Sequence, residues 1–315
     1  MAKYPIALIP FSDLSPSACA ALAAAIDGAI EAFGKWELPT GTNTRLLIAR
    51  RCLQNIAERN SYGETPEELY DAAKAIILAH DFYPISRTLS EDRANPIAEE
   101  LRVALGGALR ESATKHKKEF DIQSQFWFGT LLAHSGLHPA VPDIRTTRPD
   151  FVISVGTLEC GVEIKRPKSP ESAARALSSA ASQLHKYGKP GVIVLDLTQC
   201  VAADAMILHR GSPSARQVLK RRFDPLANEL MDGASDYSRS DKFQRIVVLV
   251  MYARFFSWTL GSTKDSDMGF FFQSTVVAEA CAGLVVDESD RIQRSIKRGF
   301  ERISGNALFV RRTRK

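Results

Sequence analysis

Two acids and a lysine stand close together in residues 148–167, RPDFVISVGTLECGVEIKRP. Asp150 opens an apolar run, a Gly-Thr pair predicts a turn, and a second run carries Glu163 and Lys165. This pattern is typical of a β-hairpin, in which alternation places Glu163 and Lys165 on one face. Two carboxylates are hard oxygen ligands for Mg²⁺. Such a group can hydrolyse a phosphodiester, because a metal activates water and a cation offsets charge in the transition state.

The backbone between the second acid and the lysine offers a third metal ligand, the carbonyl of Ile164. The side chains of Val162 and Ile164 are expected to point the other way, into a core. Charges on otherwise apolar strands need a partner, and Mg²⁺ or Mn²⁺ would supply one. The alternative is structural: Asp150 caps a turn, and Glu163 with Lys165 forms an exposed pair on a strand.

The segment after the hairpin predicts a helix and a buried strand. Residues 169–187 are rich in alanine, with Ser169 as the cap, Pro170 at the first position and Gly188 as the stop. The run GVIVLDL at 191–197 is apolar almost throughout, as expected of a strand that is buried on both faces.

The residues Pro149, Asp150, Glu163 and Lys165 resemble the signature of the PD-(D/E)xK nuclease superfamily. The order of hairpin, helix and buried strand also resembles the catalytic core of that superfamily, over roughly residues 119–198. The resemblance implies an α/β restriction-endonuclease-like fold, with a central mixed sheet flanked by helices. It also implies a metal-dependent phosphodiesterase.

Further site residues follow from the same resemblance. Gln183 and Tyr187 lie four apart on the predicted helix, like the glutamine and tyrosine that one branch of these nucleases has near its active site. Several members carry an extra acid ahead of the hairpin, and Glu119 is the candidate, with Asp121 as the alternative. Either of these acids can equally be a surface residue in the first turn of a helix. Lys165 would position or help to deprotonate the attacking water.

Charge is divided unevenly along the chain. Residues 1–110 hold 11 Lys and Arg against 14 Asp and Glu, or −3, so the remaining 30 basic and 22 acidic residues give +8. A basic surface favours a polyanionic partner, DNA or RNA, although a basic soluble domain has the same composition. The candidate nucleic-acid contacts are Lys117, Lys118, Lys220, Arg221 and Arg222.

Residues 1–112 are predicted to form an all-helical accessory region, and residues 113–315 the nuclease-like domain. Apolar residues at helical spacing predict helices over 15–33, 43–60, 65–80 and about 96–112. The helical region carries no catalytic signature, so a docking role for a partner protein is expected. Arg45, Arg50, Arg51 and Arg59 either touch phosphate or form an exposed helical face.

The rest of the chain extends the predicted sheet and its helices. We expect a helix over 121–134, a pair of helices within 213–231 broken at Pro225, strands over 244–256 and 269–279, and a basic helix from Ser289 onward.

Several other classes of protein are disfavoured. No stretch approaches about 20 uncharged apolar residues, and the N-terminus does not resemble a signal peptide, so a cytoplasmic location is expected. Five cysteines without a CxxC argue against disulfides or structural zinc. The sequence lacks a GxxxxGK[ST] loop and a serine nucleophile elbow.

The leading hypothesis is therefore a metal-dependent nuclease acting on DNA, by analogy within a restriction or phage-defence system, with a homodimer as a further expectation. The alternative is a catalytically inactive nucleic-acid-binding or scaffold subunit with the same fold. The choices between DNA and RNA, and between endonuclease and exonuclease, stay open.

Overall fold

A computed structural model describes residues 15–38, 44–88, 97–107, 109, 118–141, 149–202, 206–210, 215–237, 241–260, 268–278, 286–304 and 308–309. The chain divides into two compact units, Met1–Thr130 and Leu131–Lys315. The division falls inside a helix, past the boundary expected at residue 113.

The first unit is helical, as predicted. A 3₁₀ helix at Pro16–Ala18 leads into α1, and the α-helices are α1 (Cys19–Lys35), α2 (Arg45–Arg59), α3 (Pro66–Thr88), α4 (Ala98–Leu105) and the first part of α5 (Lys118–His134). Helix α3 continues past its predicted end at residue 80, through Pro84, because Phe82 and Ile85 are fully buried in the core. Helix α4 ends early, at Gly106.

Within the described ranges, the helical stretch Pro16–Lys35 is long and apolar enough to cross a membrane by length and composition. It contacts α2 and α3 and buries Leu22, Ile26 and Phe33. Core helices of soluble proteins also show this burial, so the location of the protein stays a prediction.

A buried polar network lies in the interior of the first unit. Arg45 is 1% exposed, and its Nη1 and Nη2 donate to the Ala104 carbonyl at 2.9 Å and to Gln123 Oε1 at 2.6 Å. Gln123 Nε2 donates in turn to Asp81, and the Arg45 guanidinium lies 4.1 Å from the centre of the Phe120 ring. Arg45 therefore neither touches phosphate nor belongs to an exposed helical face, because its charge is satisfied inside the core.

The second unit contains a mixed β-sheet, which confirms the α/β class. The strands are β1 (Phe151–Val155), β2 (Leu158–Lys165), β3 (Gly191–Asp196), β4 (Met206–Arg210), β5 (Ile246–Leu260), β6 (Met268–Ala278) and β7 (Leu308–Phe309). Their order is β1-β2-β3-β5-β6-β7, with β4 also paired to β5. The pairs β1/β2 and β5/β6 are antiparallel, and β2/β3, β3/β5, β4/β5 and β6/β7 are parallel.

Helices cover both faces of this sheet. They are α6 (Pro170–Tyr187), α7 (Thr198–Val201), α8 (Ala215–Tyr237) and α9 (Val286–Ser304), and the end of α5 packs against α9. Leu184 of α6 shares a core with Ile193 and Leu249 of the sheet. Phe300 of α9 packs on Tyr252, with 5.9 Å between ring centroids. Because Leu249 and Tyr252 have opposite parity on β5, α6 and α9 lie on opposite faces.

The predicted break at Pro225 is wrong. Helix α8 runs continuously through this proline. Phe223, Leu226 and Leu230 are buried in the core beside α6. Burying three such side chains offsets the roughly 3 kcal/mol that an interior proline costs a helix.

Helix α6 forms where its sequence predicts. The Ser169 hydroxyl accepts from the Ser172 backbone N–H, and the Ser172 hydroxyl accepts from the Ser169 N–H at 3.0 Å, which gives a capping box. Pro170 begins the helix, and Gly188 ends it with φ of 79°. The left-handed conformation at Gly188 favours glycine, because a side chain would be strained there.

Two glycines let α6 lie close to the hairpin. A Cβ at Gly161 would lie 2.9 Å from Leu184 Cδ2 and 3.0 Å from both Pro149 Cγ and Tyr187 Cδ1. A Cβ at Gly191 would lie 2.6 Å from Leu184 Cδ1. The absence of these side chains lets α6 lie close to β2, which carries Glu163, and to β3.

We therefore expect Gly161→Ala to lower the free energy of unfolding by about 1–3 kcal/mol, because the packed side chains must shift. Gly34→Ala in α1 is the matched control. Nothing lies within 4 Å of its added methyl group, so a gain of roughly 0.5–1 kcal/mol is expected from helix propensity. Urea denaturation of both variants measures the difference. Equal effects would show that α6 is not closely packed at Gly161.

Four cysteines in the described part of the chain are free thiols, namely Cys19, Cys52, Cys160 and Cys200. Burial raises the pKa of Cys19 to about 11 and that of the other three to about 12. Thiols with such raised pKa values are inert at neutral pH. Cys281 lies outside the described residues.

Candidate metal and catalytic site

The hairpin register brings the two acids to neighbouring positions. Phe151 pairs with Val162, so Asp150 and Glu163 follow on the same side of the pair, at the open end of the hairpin. Val162 and Ile164 are 0% and 3% exposed on the opposite face. The predicted alternation along β2 is confirmed.

Asp150 is half-buried and bound to the backbone of β2. Its Oδ2 accepts the Ile164 N–H at 2.7 Å. Burial, with the nearby Glu163 charge as the second cause, raises the pKa of Asp150 to about 7, against the opposing effects of the Ile164 N–H and Lys165. The N–H and C=O of a residue in a strand point to the same side, so the Ile164 carbonyl faces the side of β2 on which Asp150 lies.

Glu163 has a buried carboxylate in which one oxygen lacks a hydrogen-bond partner. Its residue is 2% exposed, and Lys165 Nζ donates to Oε1 at 2.6 Å. The other oxygen, Oε2, is buried without a hydrogen-bond partner. Burial raises the pKa of Glu163, and the charge and hydrogen bond of Lys165, together with the Asp150 backbone N–H, oppose the rise. A buried oxygen without a hydrogen-bond partner destabilises the folded state by about 1–3 kcal/mol. A ligand that binds this oxygen would remove that cost.

A divalent cation fits these donors. Two adjacent carboxylates and a backbone carbonyl are hard oxygen ligands, and Mg²⁺ commonly takes one or two carboxylates and keeps several waters. A cation would satisfy Glu163 Oε2 and offset the Glu163 charge, which is the second cause, after burial, of the raised pKa of Asp150. Across the described part of the chain, no group of three or more His, Cys, Asp or Glu residues forms a larger metal cluster.

The raised pKa of Asp150 predicts a pH-dependent stability. A folded-state pKa of about 7, above the ordinary 3.8, means that the folded protein holds this proton more tightly than the unfolded chain. The stability that this group contributes is present in full below about pH 4 and is lost as the pH rises through 7. Above that range the ionised carboxylate destabilises the metal-free protein.

We therefore expect Asp150→Asn to stabilise the metal-free protein at pH 8, by on the order of 2 kcal/mol, and by less at pH 5. The asparagine oxygen can still accept the Ile164 N–H. Thermal denaturation in EDTA at several pH values measures the effect, with the exposed Asp232→Asn as the control. A variant that follows the wild-type pH dependence would contradict the raised pKa.

The structure does not bring Tyr187 to the pair of acids. Its hydroxyl donates to Glu159 Oε1 at 2.8 Å, and Lys189 Nζ donates to the same oxygen at 2.5 Å. Glu159 precedes Glu163 by four residues, or about 13 Å along the strand. Gln183 is exposed, one turn before Tyr187 on the same side of α6.

The other described candidate residues lie on helices α5 and α8. Glu119 is half-buried in the first unit, where its carboxylate packs against Gly107, and Asp121 is half-buried on the same helix. Lys118 is exposed at the start of α5, and Lys117 lies outside the described residues. Lys220, Arg221 and Arg222 are exposed on α8, and Arg222 Nη1 donates to the Val201 carbonyl at 3.0 Å.

Arg166, next to the motif, was not identified as a candidate from the sequence. The side chain of Arg166 is 8% exposed, and its Nε lies 3.7 Å from Asp196 Oδ2 at the end of β3. Asp196 Oδ1 also accepts the Thr198 N–H at 3.0 Å. The pair therefore fixes the ends of β2 and β3 next to Lys165. The only sequence signal was a charge at the end of each of two apolar strands.

No protein-family model, no curated protein and no solved structure matches this chain. What the site can do has to follow from its own chemistry.

Proposed function

We propose that this protein is a metal-dependent nuclease that hydrolyses phosphodiester bonds, with DNA as its substrate class. The observation that carries the proposal is the Glu163 carboxylate, which is 2% exposed, keeps Oε2 without a partner and neighbours Asp150. A buried acid beside a half-buried one is costly for the metal-free protein. Such a cost is typical of a functional site whose ligand offsets it.

The fold that goes with this proposal is restriction-endonuclease-like. In its support, the antiparallel hairpin β1–β2 is followed by α6 and then by β3, which runs parallel to β2. This is the order that the PD-(D/E)xK resemblance implies.

Each residue of the group has a distinct role in the proposal. Asp150, Glu163 and the Ile164 carbonyl would hold Mg²⁺ or Mn²⁺, and the bound cation would lower the pKa of a water and polarise the phosphate. Lys165 has a side chain that is 27% exposed, so its ammonium can reach substrate. It would orient the attacking water and offset the charge that develops on the phosphate.

Gln183 and Tyr187 support the site in this proposal. Tyr187 acts as a positioning residue, because its bond to Glu159 attaches the end of α6 to β2. Gln183 is exposed on the same side of α6 and would contact substrate.

The alternative is a nucleic-acid-binding or scaffold subunit that does not cut. One observation favours it: Lys165 Nζ already neutralises Glu163 through Oε1, so the site is partly satisfied without a cation. Metal-dependent cleavage separates the two functions.

The wider setting is part of the proposal. A restriction or phage-defence nuclease would act in the cytoplasm, form a homodimer to cut two strands, and use the helical first unit to dock a partner protein. Glu119, or Asp121 in its place, would add an acid to the metal site. Lys117, Lys118, Lys220, Arg221 and Arg222 would contact nucleic acid.

The test is incubation of the full chain with supercoiled plasmid in EDTA, Mg²⁺ or Mn²⁺. We expect nicked and linear products with either metal and none in EDTA. Labelled linear DNA and RNA, run in parallel, identify the substrate and whether cutting begins at an end. Failure to cut any of these with either metal, at low or physiological salt, would reject the nuclease and favour the inactive subunit.

A further inference from the structure

A basic groove of about 920 Å³ lies in the second unit, between α9, the chain after α5 and the turn of the hairpin. Residues 136–137 and 154–156 form its uncharged wall. Its charged wall is one side of α9, with four cations and one acid, namely Arg291, Arg294, Lys297, Arg298 and Glu301. The groove therefore carries a positive charge.

Three of these cations make no ion pair with the described residues. In the portion of the chain that the structure describes, no ion pair involves Arg291, Arg294 or Arg298. Arg294 Nε donates to the Asp290 backbone carbonyl at 3.2 Å, and Arg298 Nη2 donates to Ser295 Oγ at 3.2 Å. Both acceptors are neutral, so the full guanidinium charge remains available to an anion.

The spacing of the three arginines suits an extended polyanion. Positions i, i+3 and i+7 lie on one side of a helix, and successive residues of this set are about 4.5 and 6 Å apart along its axis. The row of guanidinium groups is therefore about 10 Å long, a length of duplex axis over which one strand carries about three phosphates. A single small anion would engage only part of it.

The frame around the groove is fixed. Ile292, Ile296 and Phe300 are 0% exposed on the inner face of α9, and Ser289 Oγ donates to the Val247 carbonyl at 3.0 Å. Arg302 Nη1 donates to the His134 carbonyl at 2.7 Å and so attaches α9 to the end of α5. Binding an anion would therefore order only surface side chains, which keeps the entropic cost low.

The groove is separate from the pair of acids. Asp150 stands at the start of β1 and Ser154 near its end, about 13 Å apart along the strand. Glu163 projects from the sheet face that α6 covers, because it pairs with Ile193 of the α6 core. Helix α9 covers the other face. The groove and the pair of acids are therefore on opposite faces of the sheet.

We propose that this groove binds the phosphate backbone of a nucleic acid outside the cleavage site, through Arg291, Arg294 and Arg298. The choice of ligand rests on the proposed nuclease function. Such a contact anchors the substrate without reading its sequence, because phosphates carry no sequence information.

The test compares two charge-matched triple variants of the full chain. One carries Arg291→Gln, Arg294→Gln and Arg298→Gln, and the control carries Lys35→Gln, Arg87→Gln and Arg102→Gln at exposed positions of the first unit. Anisotropy of a labelled duplex in EDTA, at several salt concentrations, measures binding without cleavage. Thermal denaturation verifies that both variants fold.

We expect the groove variant to bind about tenfold or more weakly than the control, and its salt slope to fall by about 2–3, one counterion for each lost phosphate contact. Equal affinity and equal slopes in the two variants would overturn the inference. If the protein fails to cut DNA but the groove variant still loses binding, the proposed phosphate contact in the groove is supported and the proposed nuclease function is rejected. If the protein cuts DNA and the groove variant binds like the control, the nuclease function is supported and the phosphate contact in the groove is rejected.

Discussion

Glu163→Gln is expected to reduce metal-dependent cleavage by about three orders of magnitude, or roughly 4 kcal/mol of transition-state stabilisation. Glutamine keeps the shape of the side chain but removes the charge that would hold a divalent cation. The oxygen concerned, Oε2, is the buried atom without a partner. Asp150→Asn should have a similar effect, because it removes the neighbouring charge.

The same substitutions should leave the fold intact. Both acids are destabilised in the metal-free protein, since burial raises the pKa of each. Calorimetric titration with Mn²⁺ should show affinity lost in step with cleavage. Residual binding of duplex DNA should persist or tighten, because a carboxylate that faces a phosphate without its metal repels it.

Glu229→Gln is the control for these variants, since Glu229 is an exposed acid on α8. It should cut like the wild type. If Glu163→Gln and Asp150→Asn cut at the wild-type rate with Mg²⁺, the two acids are structural and any activity belongs to another part of the chain.

The second large effect is expected from Lys165→Met, which should lower cleavage by about 10²–10³-fold while metal binding persists. Methionine has a similar length but no charge, so the two carboxylates keep their positions. The loss then comes from the missing cation beside the water and the phosphate. This outcome separates the role of Lys165 from that of the acids, whose removal should abolish metal binding as well.

Lys165→Met should also lower the free energy of unfolding by about 2–4 kcal/mol in EDTA, because it leaves Glu163 buried without its ion-pair partner. Mg²⁺ should restore much of this stability by replacing the lost charge. The double variant Glu163→Gln with Lys165→Met should recover stability in EDTA as well. Thermal denaturation with and without Mg²⁺ measures all three.

Lys242→Met, at an exposed position in the second unit, is the control. It should change neither stability nor cleavage. The assigned role of Lys165 would be refuted by a variant that loses metal binding together with cleavage, or by one that cuts normally.

The sequence by itself determined the elements whose signals are local. Alternation of apolar and polar residues specified the hairpin and put Glu163 and Lys165 on one face of β2. A serine cap and a glycine stop specified α6. Each of these signals involves residues that are close together in the sequence, so it can be interpreted without knowing any distant contact. The neighbouring positions of Asp150 and Glu163 follow from the hairpin that these local signals specify.

Only the tertiary structure decided the features that depend on distant contacts. Packing against a core kept α8 continuous through Pro225. Tyr187 bonds to Glu159 on a neighbouring strand, and the row of arginines on α9 forms a groove only because the hairpin turn and the chain after α5 lie beside it. The unpartnered oxygen of Glu163 also depends on its surroundings, because burial is set by the whole fold and not by the residues next to it in the chain.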